Sequence, residues 1–288
     1  MPANRITVKR GDCLDPAMYP PAPADLILFD PPFWPFSKAY KQVRAENKIA
    51  LEPILTPDKD HYAEWWAAVC QIARDHLKPS GWFCFKADAW TGLLTFPITI
   101  ESFAYSNEVI WDKGKIGLGR TIRVRHEKIL VYMPEATGGH YWKYDKLPTS
   151  KRTQQNLDGK PGTYRLNKFH GGSQGKAFPS VIRVLADNNG YLGAPKRVKH
   201  INQTPIGVWA PFLDFMCPPD GLVLDLCMGS GSIGQAVIKG NQEKGVSRAY
   251  WGIEISPKHF STAKKNLALS PNLGDFLPQT IPGVTTKK

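Results

Sequence analysis

A strand, a glycine-rich turn and a helix follow one another near the carboxyl end of this 288-residue sequence. Residues 222–225 (Leu-Val-Leu-Asp) are predicted to form a strand, and residues 228–232 supply the glycines of a tight turn. Helical spacing follows over residues 233–239, and residues 250–254 form a second buried strand. Buried strands joined by a helix are typical of a parallel sheet, so this segment restricts the chain to an α/β fold.

The same alternation of strands and helices extends over the rest of the chain. We therefore expect a mostly parallel sheet with helices on both faces, in which ligands bind at the carboxyl ends of the strands. A Pro-Ser-Gly turn at residues 79–81 is expected to end the first long helix. Strands are predicted at residues 6–10, 26–29, 82–85, 109–111 and 129–132, and helices at 56–77, at 206–216 and from 256 onward.

The composition is globular, with a surplus of positive charge. Apolar residues make up 42% of the chain and the formal net charge is +12, which favours a polyanion as partner. No apolar run approaches the roughly 18 residues of a membrane span, and residues 1–10 contain no signal core. The five cysteines form no CxxC pair. We expect a soluble intracellular protein with neither a disulfide scaffold nor a metal site.

The glycine turn has the residues of a nucleotide-type cofactor site. Gly229, Ser230 and Gly231 allow the backbone to bend sharply and to approach a ligand closely. Glu254 ends the next strand, where a carboxylate suits the two hydroxyls of a ribose. Asp225, at the tip of the preceding strand, would repel a pyrophosphate but attract the amino group of a methionine moiety. The pattern favours S-adenosylmethionine over a dinucleotide.

Asp30-Pro31-Pro32-Phe33 falls at the same edge of the predicted sheet as the glycine turn. The amino nitrogen of a nucleobase is a poor nucleophile because its lone pair is delocalised into the ring. The Asp30 carboxylate and the Pro31 carbonyl could accept its two N–H bonds and so localise that lone pair. The prolines hold the backbone stiff and extended, and Phe33 offers a face on which a flipped base can stack. The motif therefore predicts methylation of a base amine, with a stiff structural turn as the alternative.

Lysines and arginines crowd the region beside and beyond this edge, with Tyr141, Trp142, Tyr144 and Tyr164 among them. Cations with interleaved aromatic residues are typical of a nucleic-acid surface, although a solvated basic loop has the same composition. A base in a duplex would have to be flipped out to reach Asp30. The residues that we expect to contact DNA are Lys113, Lys115, Arg120, Arg123, Arg125, Lys143, Arg152, Lys160, Arg165 and Lys168.

With these motifs the sequence resembles the β group of DNA amino-methyltransferases, in which an Asp-Pro-Pro-Tyr/Phe catalytic motif precedes a Gly-x-Gly cofactor motif. The resemblance implies a Rossmann-like, S-adenosylmethionine-dependent methyltransferase fold in circularly permuted order. A target-recognition region is then inserted between the two motifs. In the unpermuted order the last helix, near Lys264, would lead into the strand that begins at Ile6. The two ends of the domain should therefore be close in space.

Further segments carry the resemblance. Gly11-Asp12 resembles the opening Gly-Asp of the group, which implies that Asp12 contacts the adenine of the cofactor. Residues 199–205 resemble the His-Pro-Thr-Gln-Lys-Pro segment that helps to hold the cofactor, which implies such a contact for Gln203. Residues 109–113 and 126–131 resemble the paired strands beyond the catalytic loop. The departures from the family pattern are Leu226-Cys227 for Pro-Phe, Thr204 for Lys and Phe33 for the commoner Tyr.

The resemblance implies an organisation and a function that the residues alone do not give. The domain is expected to have a catalytic half (1–133), a target-recognition insert (134–205) and a cofactor-binding half (206–270), followed by a tail (271–288). The implied activity is site-specific methylation of N6 of adenine in duplex DNA. A homodimer and a cognate restriction nuclease are partners that such an enzyme can have. Its expected location is the cytoplasm of a prokaryotic cell or of a phage-infected host.

Three alternatives stay open on the sequence. The first is N4-cytosine methylation, a branch that more often has Ser-Pro-Pro, so that Asp30 favours adenine. The second is an RNA base N-methyltransferase, some of which share Asp-Pro-Pro-Phe. The third is a DNA-binding subunit with a degenerate site. This alternative is suggested by the departures from the family pattern at Leu226, Cys227 and Thr204.

Overall fold

The computed structural model describes residues 6–34, 59–114, 123–135, 139–142, 178, 180–184 and 204–268. Within these residues there are eight strands, five α-helices and a short 3-10 helix at Pro16–Met18. The strands are β1 (Ile6–Arg10), β2 (Ala24–Phe29), β3 (Leu77–Ala87), β4 (Ala104–Asp112), β5 (His126–Met133), β6 (Val181–Arg183), β7 (Leu222–Asp225) and β8 (Ala249–Glu254). The helices are α1 (Lys59–Asp75), α2 (Ala89–Ser102), α3 (Ile206–Met216), α4 (Ser232–Lys244) and α5 (Pro257–Ala268).

The described strands form one sheet in the order β1-β8-β7-β2-β3-β5-β4-β6. Neighbours from β1 to β3 pair in parallel, as predicted. Strand β5 is antiparallel to both β3 and β4, with Asp112 opposite His126, and β6 lies parallel to β4 at the edge. Because parallel strands end at a common edge, β1, β8, β7, β2 and β3 present their carboxyl ends together.

Helices cover both faces of the sheet because neighbouring strand residues point to opposite sides. Leu26 and Leu28 of β2 lie in one hydrophobic cluster with residues of α3, α4 and α5. Ile27 and Phe29 lie in a second cluster with α1, where the rings of Phe29 and Trp66 stack with centroids 5.7 Å apart. The predicted two-sided packing is thus confirmed. Among the residues described, no helix combines the length and the apolar character needed to cross a membrane.

Helix α2 is not foreseen by the sequence analysis, because its buried stripe is polar. Thr91, Thr95 and Thr99 are all fully buried at four-residue spacing. The hydroxyls of Thr95 and Thr99 each donate to the carbonyl one turn earlier at 2.7 Å. Asp88 caps the helix by accepting the amide of Thr91 at 2.8 Å. A polar stripe and an internal Pro97 remove the apolar periodicity by which the other helices are predicted.

The Pro-Ser-Gly turn predicted after the first long helix is wrong, since these residues lie inside β3, which begins at Leu77. The register between β2 and β3 shifts between Ala24 and Leu26. At this shift a Cβ on Gly81 would lie 2.6 Å from the Leu77 side chain and 3.0 Å from the Asp25 carbonyl oxygen. Glycine is therefore used here for a close approach of two strands and not for a turn.

Most of the segment predicted as the target-recognition insert, 134–205, lies outside the described residues, as does the tail from 271. The parts of the insert that are described pack on the main sheet and its helices. Strand β6 pairs with β4, and the rings of Trp142 and Phe178 lie 6.1 Å and 5.6 Å from the ring of Phe215 in α3. The domain boundaries stay a prediction.

Candidate active site

The predicted cofactor and catalytic motifs meet at the carboxyl-end edge of the parallel strands. Asp12 follows β1, Glu254 ends β8, Asp225 ends β7 and Asp30 follows β2. Because the sheet order is β1-β8-β7-β2, these four acids follow one another along a single edge. Ligands of open α/β sheets bind at this edge.

The glycine turn between β7 and α4 depends on a left-handed backbone at two positions. Gly229 has φ 54° and Gly231 has φ 85°, values that residues with a Cβ rarely adopt. A Cβ on Gly231 would also lie 3.4 Å from the side chains of Ala263 and Leu267 in α5. Around Gly229 a Cβ would meet nothing within 4 Å. Gly231 therefore brings α4 and α5 together, whereas Gly229 leaves open space at the turn.

The carboxylate of Glu254 holds the glycine turn in place. One oxygen accepts the amide of Gly229 at 2.7 Å, and the other accepts the amide of Ser256 at 2.9 Å. The side chain is almost completely buried. The residue predicted to bind a ribose thus also ties the turn to the start of α5.

Asp225 is a buried acid with an incomplete set of partners. Its side chain has no exposed surface, and Oδ2 accepts the hydroxyl of Tyr250 at 2.8 Å. Oδ1 has no hydrogen-bond partner among the described residues. Burial raises the pKa of Asp225 well above its usual value; the Tyr250 hydrogen bond opposes this, and the nearby carboxylates of Asp30 and Glu254 add to it. A cationic group at Oδ1 would relieve this cost, provided that the residues covering Asp225 give way.

The other predicted cofactor residues are placed only in part. Asp12 is exposed and accepts the amide of Leu14 at 2.9 Å, while the amide of Gly11 donates to the Glu254 carbonyl at 3.1 Å. Asp12 therefore lies beside the end of β8, where a ligand bound along this edge can reach it. Gln203 lies outside the described residues.

The Asp30 loop is fixed from two directions. Asp30 Oδ1 lies 3.0 Å from Lys86 Nζ, and Oδ2 accepts the Thr204 hydroxyl at 2.6 Å. The hydroxyl of Tyr62 donates to the Pro32 carbonyl at 2.9 Å. No hydrogen bond to the Pro31 carbonyl is found within the described ranges. That carbonyl and the partly exposed Asp30 side chain are therefore acceptors that a ligand can use.

Lys86 is the main feature of this site that sequence reasoning misses. It belongs to β3 and is only 5% exposed. Its ammonium donates to the Thr204 hydroxyl at 2.6 Å and forms ion pairs with Asp30 and, at 3.3 Å, with Glu127 Oε2. Burial lowers the pKa of Lys86, but the two carboxylates raise it by more, so that it lies above its usual value. A lysine inside the otherwise apolar run 82–87 is the signal that could have revealed it.

Glu127 completes the cluster from β5. Its Oε1 accepts from the Lys113 ammonium at 2.8 Å. Burial raises the pKa of Glu127, but Lys86 and Lys113 together lower it below its usual value. At position 204, where the family pattern has a lysine, this chain has a threonine. The ammonium of Lys86, from β3, donates to the hydroxyl of that threonine.

Three of the residues expected to contact DNA are described, and two of them are paired with acids. Lys113 is paired with Glu127, and Arg125 Nε donates to Asp112 at 2.7 Å. The hydrogen bond from Arg125 is the main cause that holds the pKa of Asp112 below its usual range. Arg123 is exposed at the start of the same segment. The remaining expected contacts lie outside the described residues: Lys115, Arg120, Lys143, Arg152, Lys160, Arg165 and Lys168.

Comparisons with known proteins agree with this arrangement. A family model described as DNA methylase, of the N6/N4 type, matches residues 24–265 and so spans both motifs. No curated protein matches the sequence.

Among the solved structures that resemble the chain are proteins described as DNA methyltransferases or DNA modification methylases. M1.HpyAVI in complex with SAM has a TM-score of 0.55 at 16% identity, covering 91% of this chain and 99% of that one. The cytosine-N4-specific PvuII DNA methyltransferase has a TM-score of 0.55 at 15% identity, covering 97% and 90%. A putative DNA modification methylase from Thermus thermophilus, complexed with S-adenosyl-L-methionine, has a TM-score of 0.52 at 17% identity, covering 92% and 95%. At these identities the likeness bears on the fold, a mixed α/β sheet shared with these enzymes.

Proposed function

This chain belongs to the N6/N4 DNA methylase family, and from that membership we propose that it transfers a methyl group from S-adenosylmethionine to N6 of adenine in DNA. The observation that carries the proposal is the position of Asp30. It lies between the end of β7, which leads into the glycine turn, and the end of β3. Its carboxylate is held in place and still partly exposed.

The cofactor side of the edge fits S-adenosylmethionine. The unsatisfied Oδ1 of Asp225 suits the ammonium of the methionine moiety, and the Glu254 carboxylate beside the glycine turn suits the two hydroxyls of the ribose. Asp12, beside the end of β8, is the residue that we assign to the adenine, and Gly229 leaves space for a close approach. When bound, S-adenosylmethionine supplies a methyl group attached to a positively charged sulfur.

The base side supplies acceptors and a stacking surface. The Asp30 carboxylate and the Pro31 carbonyl accept the two N–H bonds of the amino group, which draws the nitrogen towards tetrahedral geometry. The Tyr62 hydroxyl anchors the adjacent Pro32 carbonyl, so the loop that carries these acceptors is stiff. Phe33 stacks on the flipped base. The Asp30 carboxylate then takes up the proton that the methylated nitrogen releases.

Adenine is proposed over cytosine because of the residue at position 30. Ser-Pro-Pro is the more frequent motif of the N4-cytosine branch, and this chain has Asp30. Cytosine N4 is the second candidate, favoured by the structural likeness to the PvuII enzyme.

We also propose the permuted chain order. Strand β1 pairs in parallel with β8, the last strand in the described part of the chain, and α5 follows β8. Helix α5 contacts β1, so in an unpermuted chain it would connect β8 to β1. This arrangement supports the permutation that the motif order implies.

The test is a transfer assay with labelled S-adenosylmethionine and unmethylated genomic DNA, followed by mass spectrometry of the nucleosides. We expect N6-methyladenine. Replacing Asp30 with Ala should lower kcat by roughly 10²- to 10⁴-fold, because an acceptor for the amine is lost. Binding of S-adenosylmethionine, measured by calorimetry, should persist in this variant.

Other products would change the assignment. N4-methylcytosine would move it to the second candidate, and label found only in RNA would refute a DNA substrate. Full turnover by the D30A variant would show that the proposed mechanism is wrong.

A further inference from the structure

Lys86 lies at the centre of the base side, next to Asp30 and Phe33. A buried ammonium is costly unless its donors are satisfied. The Lys86 ammonium donates to the Thr204 hydroxyl at 2.6 Å and forms ion pairs with Asp30 at 3.0 Å and with Glu127 at 3.3 Å. The ammonium also lies 5.1 Å from the ring centroid of Phe33. One side chain thus touches both the proposed acceptor and the proposed stacking surface.

The three groups Lys86, Thr204 and Asp30 form a closed ring of contacts. The Thr204 hydroxyl accepts from Lys86 and donates to Asp30 Oδ2, while Lys86 pairs directly with Oδ1. Both carboxylate oxygens are therefore held, which fixes the rotation of the carboxylate plane. Each oxygen retains lone-pair capacity for a base amine.

The charges around Asp30 balance only with Lys86 in place. The titratable groups that surround it in the described residues are Lys86 from β3, Glu127 from β5, Lys113 after β4 and Asp225 from β7. Burial raises the pKa of Asp225 and so disfavours its charged form, which leaves two ammonium groups and two carboxylates. Lys113 offsets Glu127. Without Lys86, Asp30 would face the carboxyl groups of Glu127 and Asp225 with no opposing charge in contact.

We propose that Lys86 is a positioning residue for methyl transfer, which fixes the orientation of the Asp30 carboxylate and keeps a positive charge against it. It acts through Asp30 and does not touch the base or the cofactor. This inference rests on the proposed function, because it assigns Lys86 a part in that reaction.

The test replaces Lys86 with Met, which keeps the aliphatic stem and removes the charge. We expect kcat to fall by roughly 10- to 100-fold, the scale of a misplaced reacting group, with no change in the Kd of S-adenosylmethionine. The pH at which kcat falls to half on the acid side should rise by about 1–3 pH units, because an opposite charge in contact favours ionised carboxylates.

A second substitution separates this role from a structural one. In the double variant K86M/E127Q the uncompensated charge of Glu127 is also removed. The acid-side midpoint should then move back towards that of the wild type, while kcat stays low because the ring is still broken. A residue that merely stabilises the fold would not produce this reversal.

The chain offers a matched control in Lys78, which also lies on β3 and pairs with Asp25 of β2 at 2.7 Å. This pair joins the same two strands at the opposite edge of the sheet. Replacing Lys78 with Met should leave kcat and its pH profile unchanged.

Thr204→Val keeps the inference testable if K86M does not fold. It removes the hydroxyl of the ring and leaves both charges, so kcat should fall while the acid-side midpoint stays in place. Wild-type kcat in T204V, or a wild-type pH profile in folded K86M, would overturn the inference. A wild-type protein without any transfer activity would instead refute the proposed function, so the two failures are distinguishable.

Discussion

The two halves of the strand-end edge are built in different ways. The cofactor half comprises the ends of β1, β8 and β7, and its shape comes mainly from backbone: two left-handed glycines and a Glu254 carboxylate that accepts two amides. The base half comprises the ends of β2, β3 and β5, and it is held by side chains. Lys86 and Thr204 are 118 positions apart, and Thr204 and Asp30 are 174 apart.

The cofactor half is encoded in a local sequence motif, whereas the residues of the base half are brought together only by the fold. A glycine turn can be recognised in a few consecutive residues, because its conformation needs those residue types. An ion-pair network between distant positions leaves no such local trace. The following substitutions test whether the two halves also behave separately, with base-side changes affecting turnover and cofactor-side changes affecting ligand binding and stability.

Phe33→Ala should have the largest effect of the three. Loss of a stacking surface costs about 1–3 kcal/mol per base, so kcat/KM for DNA should fall by roughly 10- to 100-fold. The Kd of S-adenosylmethionine should not change. Phe33→Tyr, which keeps the ring, is the matched control and should retain most activity. A cofactor affinity that falls together with kcat/KM would break the separation of the halves.

Gly231→Ala should destabilise the cofactor half. A Cβ at φ 85° costs about 1–2 kcal/mol, and here it would also come within 3.4 Å of the side chains of Ala263 and Leu267. Gly229→Ala, at φ 54° with open space around it, is the control for backbone strain alone. Denaturant unfolding of both variants measures the two free energies of unfolding. A larger loss of unfolding free energy in G229A than in G231A would show that contact with α5 does not cause the destabilisation of G231A.

Asp225→Asn should have the smallest effect. In cofactor-free protein it should raise the stability of the fold, whereas Gly231→Ala lowers it. Burial raises the pKa of Asp225, so the folded state loses stability as the pH rises above the ordinary aspartate range near 4. Asparagine has no such loss. We expect Tm to rise by about 2–4 °C at neutral pH, as for ~1 kcal/mol in a domain of this size, and the gain to vanish as the pH falls to about 4. A lower Tm at neutral pH would mean that Asp225 is stabilised by partners in the free protein.

Much of the fold could be predicted because its strands are short apolar runs with distinct ends. β1, β7 and α3 match their predicted bounds, and β2, β4, β5 and β8 extend theirs by a few residues. Helix α2 was missed because its buried face carries threonines. Gly81 was interpreted as part of a turn because a close strand approach and a turn both favour glycine.

The site residues that could be predicted are those whose residue type and position at a strand end together indicate a role. Asp30, Asp225 and Glu254 fall at strand ends, and the strand order places them together. Lys86 and Thr204 could not be foreseen as partners, since nothing in the sequence indicates that β3 and the start of α3 meet at Asp30. The structure also pairs Lys113 and Arg125 with acids, which composition alone could not show.

The most direct test of the division between the halves is a calorimetric titration of S-adenosylmethionine into D30A and D225N in parallel. We expect D30A to bind with the affinity of the wild type. D225N should bind roughly 10- to 100-fold more weakly, because a hydrogen bond to a charged group contributes about 1.5–3 kcal/mol. Wild-type affinity in D225N, or loss of binding in D30A, would contradict the assignment of the cofactor to the β1–β8–β7 side and of the base to Asp30.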